Sequence, residues 1–435
     1  MSWLCIHPWS QLNITPSGSI RLCCHQKDNN GSYDNFGNIK TDSIEEIFNG
    51  PGMRRVRRQM LKGEAPPECR KCVMIEKMQS RSPRQREFGV SYSKDVLDNY
   101  VTTTQEDGTA DYDLKFWDLR FSNICNMACV MCNGEWSSLW INESKEYIKG
   151  FSQEHIEQDS NLNYMQWQHK FTDNKVNQTK DFKWIDNHMD QVERIYFAGG
   201  EPMIMPSHWY ILEKLHSNKR FDVEVSYNIN TLKLSHQGKN AIDYWKDWPY
   251  KKVKVQPSID ETEERAEWIR YGTIWKTVKQ NLIDIRDAGI WMQPLISVGA
   301  YNLLRLPQLI DELTELIGNK VQLNIVYNRE WHFSNLNCED RIKVKSELEK
   351  RHNLIADPGK LKEIYHVLDD KDKNEDNHSN SAIKLMDRVA LLDLHRGTNS
   401  MQVIPGFQQI NERLNNRYEQ TKELYRNHKP RRPVK

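Results

Sequence analysis

Eight of the nine cysteines in this 435-residue chain stand in two groups. Cys125, Cys129 and Cys132 are spaced C-x3-C-x2-C within DLRFSNICNMACVMCNGE (118–135). Cys5, Cys23, Cys24, Cys69 and Cys72 fall in the first 88 residues. Thiolates are the ligands of iron–sulfur clusters, as a rule about four per cubane. Three in one loop leave one iron without a protein ligand, and a metal with an open position is where a substrate chelates. Cys5, Cys23, Cys69 and Cys72 would instead ligate a cluster fully. A C-x2-C pair such as Cys69–Cys72 is equally a zinc signature, so zinc on the same four ligands is the alternative. Cys24 competes with Cys23 for the fourth place. Cys338 stands alone and is expected to be a buried, inert thiol.

Elements must carry these residues. Six apolar, β-rich runs follow Asp113: 114–122, 192–200, 223–230, 253–259, 291–299 and 321–328. Helical patterns separate most of them, at 206–218, 277–289 and 306–318, which predicts a parallel sheet with right-handed crossovers. The expected fold class is α/β: a partial (β/α)6 TIM-like barrel, preceded by a small auxiliary-cluster domain and followed by a mostly helical C-terminal region. The boundaries are 1–90, 112–335 and 336–435. Chemistry belongs at the strand C-terminal ends. Ser91–Asp111 reads as a linker, 133–191 as a polar insertion or lid, and Asp369–Ser381 as a low-complexity loop. A helix over 43–63 is expected to break near Pro51 and Gly52, and RRVRR (54–58) to be its solvated face.

The triad directly follows the first strand, and in that place it resembles the radical S-adenosylmethionine (SAM) superfamily over about residues 113–330. FAGGEP (197–202) ends the second strand. By the resemblance, Gly199, Gly200 and Glu201 take the SAM amino group; glycines permit close backbone approach and a carboxylate pairs with an ammonium. YNINTL (227–232) is similar to the family's Thr-Asn-Gly run, which puts Asn230 on the SAM sugar; Ile229 and Thr231 depart from that pattern. In PSIDETEERAEWIRYGTIWKTV (257–278), Ser258 and Asp260 would reach the ribose and Arg270 the SAM carboxylate, which suits a planar guanidinium. Met131 takes the apolar position beside the adenine. The C-x12-G-x4-C and C-x2-C pattern of residues 5–72 resembles the first half of a SPASM or twitch domain, here ahead of the barrel instead of behind it. The implied cofactors are a SAM-binding [4Fe–4S] cluster, SAM itself and an auxiliary [4Fe–4S] cluster.

The resemblance implies reductive cleavage of SAM to a 5′-deoxyadenosyl radical and hydrogen abstraction from a substrate. An auxiliary cluster able to accept an electron favours oxidative modification of a peptide or protein, by crosslink, thioether or dehydrogenation. A dehydrogenase or epimerase of a small molecule and a non-catalytic electron carrier are the alternatives. An external donor such as flavodoxin or ferredoxin is expected. The carrier has no use for Glu201, Asn230 and Arg270 around an open cluster. Trp117, Gln293, Asn324 and Tyr327 are the substrate-facing guesses from strand alternation. His7 beside Cys5 would tune a cluster by hydrogen bonding. Charge is balanced, with 61 basic against 60 acidic residues, so no nucleic-acid or membrane attraction is expected. No run of about 18 apolar residues is present, and no secretory signal opens the chain. A cytoplasmic location is expected.

Overall fold

The computed structural model describes residues 3–26, 36–77, 81–87, 94–171, 183–369 and 375–426. Its strands are β1 (Gln11–Ile14), β2 (Ile20–Arg21), β3 (Phe116–Leu119), β4 (Ala128–Cys129), β5 (Arg194–Phe197), β6 (Glu224–Ile229), β7 (Ser235–His236), β8 (Lys239–Asn240), β9 (Val253–Pro257), β10 (Arg270–Tyr271), β11 (Trp291–Met292), β12 (Leu295–Val298) and β13 (Gln322–Ile325). The fold is mixed α/β with parallel strands. All six expected runs form strands, the fifth split around Gln293–Pro294 into β11 and β12. The chain packs as two compact units: residues 1–123, 174–228 and 243–254, and residues 124–173, 229–242 and 255–435.

In the first unit β1, β3, β5 and β6 run parallel in that order, and β2 returns antiparallel on β1. Leu12, Ile14, Trp117, Leu119, Ile195, Phe197 and Val225 alternate onto one buried face. The opposite face carries Asn13, Asp118, Tyr196 and Ser226 in one register. Buried parallel sheets are ordinarily apolar on both faces, so this polar row departs from the usual pattern. Within this unit the N-terminal segment supplies a strand, β1, to the sheet, and its Leu12 and Ile14 extend the apolar face. Trp117 is corrected here. It lies on the apolar face, 0% exposed, with Nε1 donating to Leu114 O at 2.9 Å and its ring 4.9 Å from that of Trp184.

The helix break is found, as Ile44–Phe48 and Pro51–Leu61, the first closed by a Ser43–Glu46 capping box. RRVRR is not wholly solvated. Arg57 is 0% exposed and donates to the carbonyls of Pro8, Phe48 and Gly108 and to Asn49 Oδ1. Burial lowers its pKa to about 10. The expected linker 91–111 contains a helix, Lys94–Thr103, anchored by buried Leu97 and Tyr100; Tyr100 Oη donates to Asp113 Oδ2 at 2.5 Å.

In the second unit β12 pairs in parallel with β13, and β4 pairs antiparallel with β10. The region after residue 336 is helical: Cys338–Glu349, Pro358–Leu368, Glu375–Arg396, Phe407–Arg413 and Arg417–Arg426. The buried Asp393 carboxylate ties these together, accepting from Trp268 Nε1, Thr398 Oγ1, Ser400 N and Oγ, and Tyr418 Oη at 2.5–2.8 Å. Residues 375–381, read as loop, begin the long helix, while 370–374 and the basic tail 427–435 lie outside the described residues. Cys338 is half-buried at a helix start rather than buried. Among the described residues no helix is long and apolar enough to cross a membrane.

Candidate functional site

In the first unit, a turn explains the Cys5–Cys23 spacing. Between β1 and β2, Thr15 N donates to Ser19 O at 3.0 Å and Gly18 N to Thr15 O at 2.9 Å. Gly18 has φ +86°, and a Cβ there would meet Asn38 Oδ1 at 2.7 Å, so glycine alone suits the turn. The hairpin reverses the chain and returns Cys23 toward Cys5. The helix Arg70–Lys77 starts at the second pair, and its first turn sets Cys72 beside Cys69. Cys5, Cys23, Cys69 and Cys72 wall one small cavity, together with His7, His25, Glu68 and Arg84. Cys24 is exposed and outside that wall.

Burial pushes all four thiols up, Cys69 to about 12. Metal ligation requires thiolates, so loading this cavity releases protons. Burial lowers His25 to about 3, helped by Lys71, whose Nζ lies 3.3 Å from His25 Nδ1. Among the described residues no three His, Cys, Asp or Glu side chains are gathered to hold a metal ion; the four thiols wall a volume instead. Four soft donors around one small cavity fit an iron–sulfur group.

Gly199, Gly200 and Glu201 belong to the same unit, at the end of β5. Gly199 has φ +103°, and its Cβ would crowd Ser122 O at 3.1 Å; Gly200 N donates to Ser122 O at 2.9 Å. Glu201 is 1% exposed and its Oε1 accepts from Met203 N at 3.1 Å.

The second unit contains the triad. Ala128–Cys129 pairs with Arg270–Tyr271, Cys129 opposite Arg270. Cys132 N donates to Cys129 O at 2.9 Å, turning the loop. Trp140 Nε1 donates to Cys129 O at 2.8 Å, Ser137 Oγ to Met127 O at 2.6 Å, and Cys125 N to Ser138 Oγ at 3.3 Å. Gly272 has φ +102°, and a Cβ there would stand 2.6 Å from Asn126 O, so the β10 turn passes the loop only as glycine. Cys129 is buried and Cys125 and Cys132 half-buried. Burial raises Cys129 and Cys132, the latter to about 12, and the Arg270 charge opposes both shifts.

Arg270 joins the loop to the next strand end. Its Nη1 lies 3.6 Å from Cys129 Sγ, and its Nη2 lies 2.7 Å from Asp260 Oδ2. Against the cost of burial, Asp260 and Cys129 hold the guanidinium firmly charged. Asp260 Oδ1 accepts from Ser297 N at 2.7 Å, and Asn302 Nδ2 donates to Asp260 O at 2.8 Å. Asp260 therefore meets Arg270 rather than open space. Arg270 Nε and Asn126 Nδ2 are buried and without hydrogen-bond partners, which suits a polar ligand beside the triad. Asn230 is buried, and its Nδ2 donates to Asn126 Oδ1 at 2.7 Å. Ser258 N donates to Ile229 O at 2.8 Å, and Ser258 and Met131 are half-buried. The structure thus brings Cys129, Asn230, Asp260 and Arg270 into one contact network.

Three contributors escaped the sequence. Asn126 sits inside the C-x3-C spacing, and its polar character was the signal. Arg396 donates through Nη2 to Ala128 O at 2.9 Å and pairs with buried Glu143 at 2.7 Å. Nothing local announces that contact across more than 250 residues. Arg84, on the wall of the four-thiol cavity, is the third.

Residues 5–73 match the family SPASM, described as an iron–sulfur cluster-binding domain. Among curated proteins nothing matches. Solved structures with likeness include anSMEcpe with bound AdoMet, at 13% identity and a TM-score of 0.38, over 54% of this chain and 57% of that one. Streptococcus suis SuiB bound to S-adenosylmethionine has 11% identity and a TM-score of 0.36, over 60% and 52%. The same protein bound to precursor peptide SuiA has 11% identity and a TM-score of 0.39, over 78% and 71%. The chain spans under three-fifths of the length of the anSMEcpe structures it matches. The segment 5–73 is thus similar to the SPASM iron–sulfur cluster-binding domains, and its four cysteines line one cavity.

Proposed function

We propose that this chain is a radical SAM enzyme that oxidatively modifies a peptide or protein. The observation that carries the proposal is the contact network of the second unit: a C-x3-C-x2-C loop whose middle thiol faces Arg270 and whose Asn126 faces Asn230. Cys125, Cys129 and Cys132 would hold a [4Fe–4S] cluster with one open iron, and Cys5, Cys23, Cys69 and Cys72 an auxiliary one. When bound, the open-iron cluster and SAM would supply reductive cleavage to a carbon radical, chemistry that belongs to the cofactors. The residues of this chain supply position and charge. Arg270, braced by Asp260, presents a fixed cation with a free Nε–H suited to the SAM carboxylate. Asn230 and Asn126 brace one another and leave the Asn126 amide N–H₂ for a ligand oxygen. By the resemblance, Gly199 and Gly200 would offer backbone and Glu201 a carboxylate for the SAM ammonium. The six strands β3, β5, β6, β9, β12 and β13 are proposed as a partial barrel, with an external flavodoxin or ferredoxin as electron donor.

The test is anaerobic reconstitution with iron and sulfide, reduction with dithionite plus SAM, and quantification of 5′-deoxyadenosine. Wild type should make it. The triple variant Cys125→Ala, Cys129→Ala, Cys132→Ala should make none and retain about four irons on the auxiliary site. Iron loading unchanged by the triple substitution would overturn the proposal.

A further inference from the structure

We infer that Arg84 is the counter-charge of the group held by the four N-terminal thiols and raises its reduction potential; this rests on the auxiliary-cluster reading above. A cubane on four thiolates carries net negative charge, and reduction adds one more. Charge and hydrogen bonding around the sulfurs set its potential. Arg84 is the one Lys or Arg on the cavity wall among the described residues. Its side chain is 13% exposed, so solvent screens it weakly.

The guanidinium is locked. Nη1 donates to Leu4 O at 2.9 Å, Nη2 to Glu76 Oε2 at 2.5 Å, and the group lies 3.8 Å from the Trp3 ring centroid. Ser82 Oγ donates to the other Glu76 oxygen at 2.5 Å. With both Nη groups engaged, Nε is buried without a hydrogen-bond partner. The Arg84 backbone N–H also reaches the Cys72 thiol. Glu76 is not on the cavity wall, so the ion pair presents its positive member to the cavity. The other charged wall residue, Glu68, is paired with Arg55, and His25 meets Lys71. Arg84 is therefore the cation able to stabilise an added electron there, and its idle Nε–H suits a sulfur acceptor. It is a positioning residue for the electron, not for substrate.

The experiment uses the full chain carrying Cys125→Ala, Cys129→Ala and Cys132→Ala, so that only the auxiliary cluster remains. Iron is counted, and the midpoint potential is read by electron paramagnetic resonance during a redox titration. Arg84→Gln should lower the potential. Glu76→Gln, which removes the compensating carboxylate, should raise it. Arg84→Lys should fall between wild type and Arg84→Gln, keeping charge but not the Nε–H. A merely structural role would shift Arg84→Gln and Glu76→Gln the same way or not at all, and either result overturns the assignment. If Arg84→Gln does not fold, the sign of the Glu76→Gln shift decides alone. Absence of iron from the triple background overturns the auxiliary-cluster reading itself, which separates the two failures.

Discussion

Thr231 holds a left-handed backbone, with φ 58°, a conformation that a β-branched residue rarely adopts. It directly follows Asn230, whose Oδ1 accepts from Leu232 N at 3.0 Å, while Asn281 Nδ2 donates to Thr231 O at 2.7 Å. The turn is held from both sides, and the strain stays where Asn230 must point at Asn126. Thr231→Gly should relieve it and stabilise the protein by about 1 kcal/mol, read as a higher urea midpoint; a lower midpoint would show that the Thr231 side chain earns its place by packing. The same geometry accounts for the partial fit to Thr-Asn-Gly: the glycine position exists in this backbone, filled by threonine. At Arg270 the expected cost runs the other way. Lysine keeps charge but cannot reach Asp260 and Cys129 together. Arg270→Lys should therefore cut 5′-deoxyadenosine formation about tenfold or more, the equivalent of one charged hydrogen bond of about 1.5 kcal/mol or above. Iron content should stay unchanged; wild-type turnover would remove Arg270 from the site.

Among the elements, the helix Glu375–Arg396 delivers its last residue under the loop of Cys125, Cys129 and Cys132. Arg396 is bonded to Glu143 through Nε and Nη2, reaches Ala128 O, and lies 4.3 Å from the Tyr271 ring centroid. Its side chain is 0% exposed. Removing one member leaves an uncompensated buried charge, so Arg396→Ala or Glu143→Ala should each cost about 3–5 kcal/mol, whereas the apolar double variant Arg396→Met, Glu143→Leu should cost far less. Urea unfolding checks both, and equal losses would refute a buried-charge explanation. The strands were legible because their β-branched and aromatic runs report their own conformation locally. Faces were not: Trp117 looked substrate-facing, yet it alternates onto the apolar side with Leu119, and only pairing decides which side that is. The helix Lys94–Thr103 escaped because two buried residues, Leu97 and Tyr100, are all that amphipathicity offers in a polar segment. Four arginines in RRVRR look solvated until the carbonyls of Pro8, Phe48 and Gly108 converge on Arg57.

At the scale of the molecule, the four-thiol segment and the sheet share a strand. Cys5 and Cys23 flank a hairpin whose first strand, β1, pairs along its whole length with β3. Leu12 and Ile14 are 2% and 0% exposed, and much of that cover comes from residues beyond the boundary at 90. Arg57 likewise donates to Gly108 O, and Trp9 Nε1 to Thr104 Oγ1 at 2.8 Å. A shared strand leaves no break in the sequence of either partner, so composition carries no sign of it. The cavity of the four thiols thus depends on chain that contributes no ligand to it. A fragment of residues 1–90 keeps Cys5, Cys23, Cys69 and Cys72 but loses β3 and the 104–108 contacts. It should unfold cooperatively at no denaturant concentration and retain less than half the iron of the same segment in the triple-cysteine variant of the full chain. A fragment of 1–125, which restores β3 with its turn, should recover part of that iron. If residues 1–90 bind iron and melt cooperatively on their own, the strand shared with the sheet is an ornament of the domain and not its support.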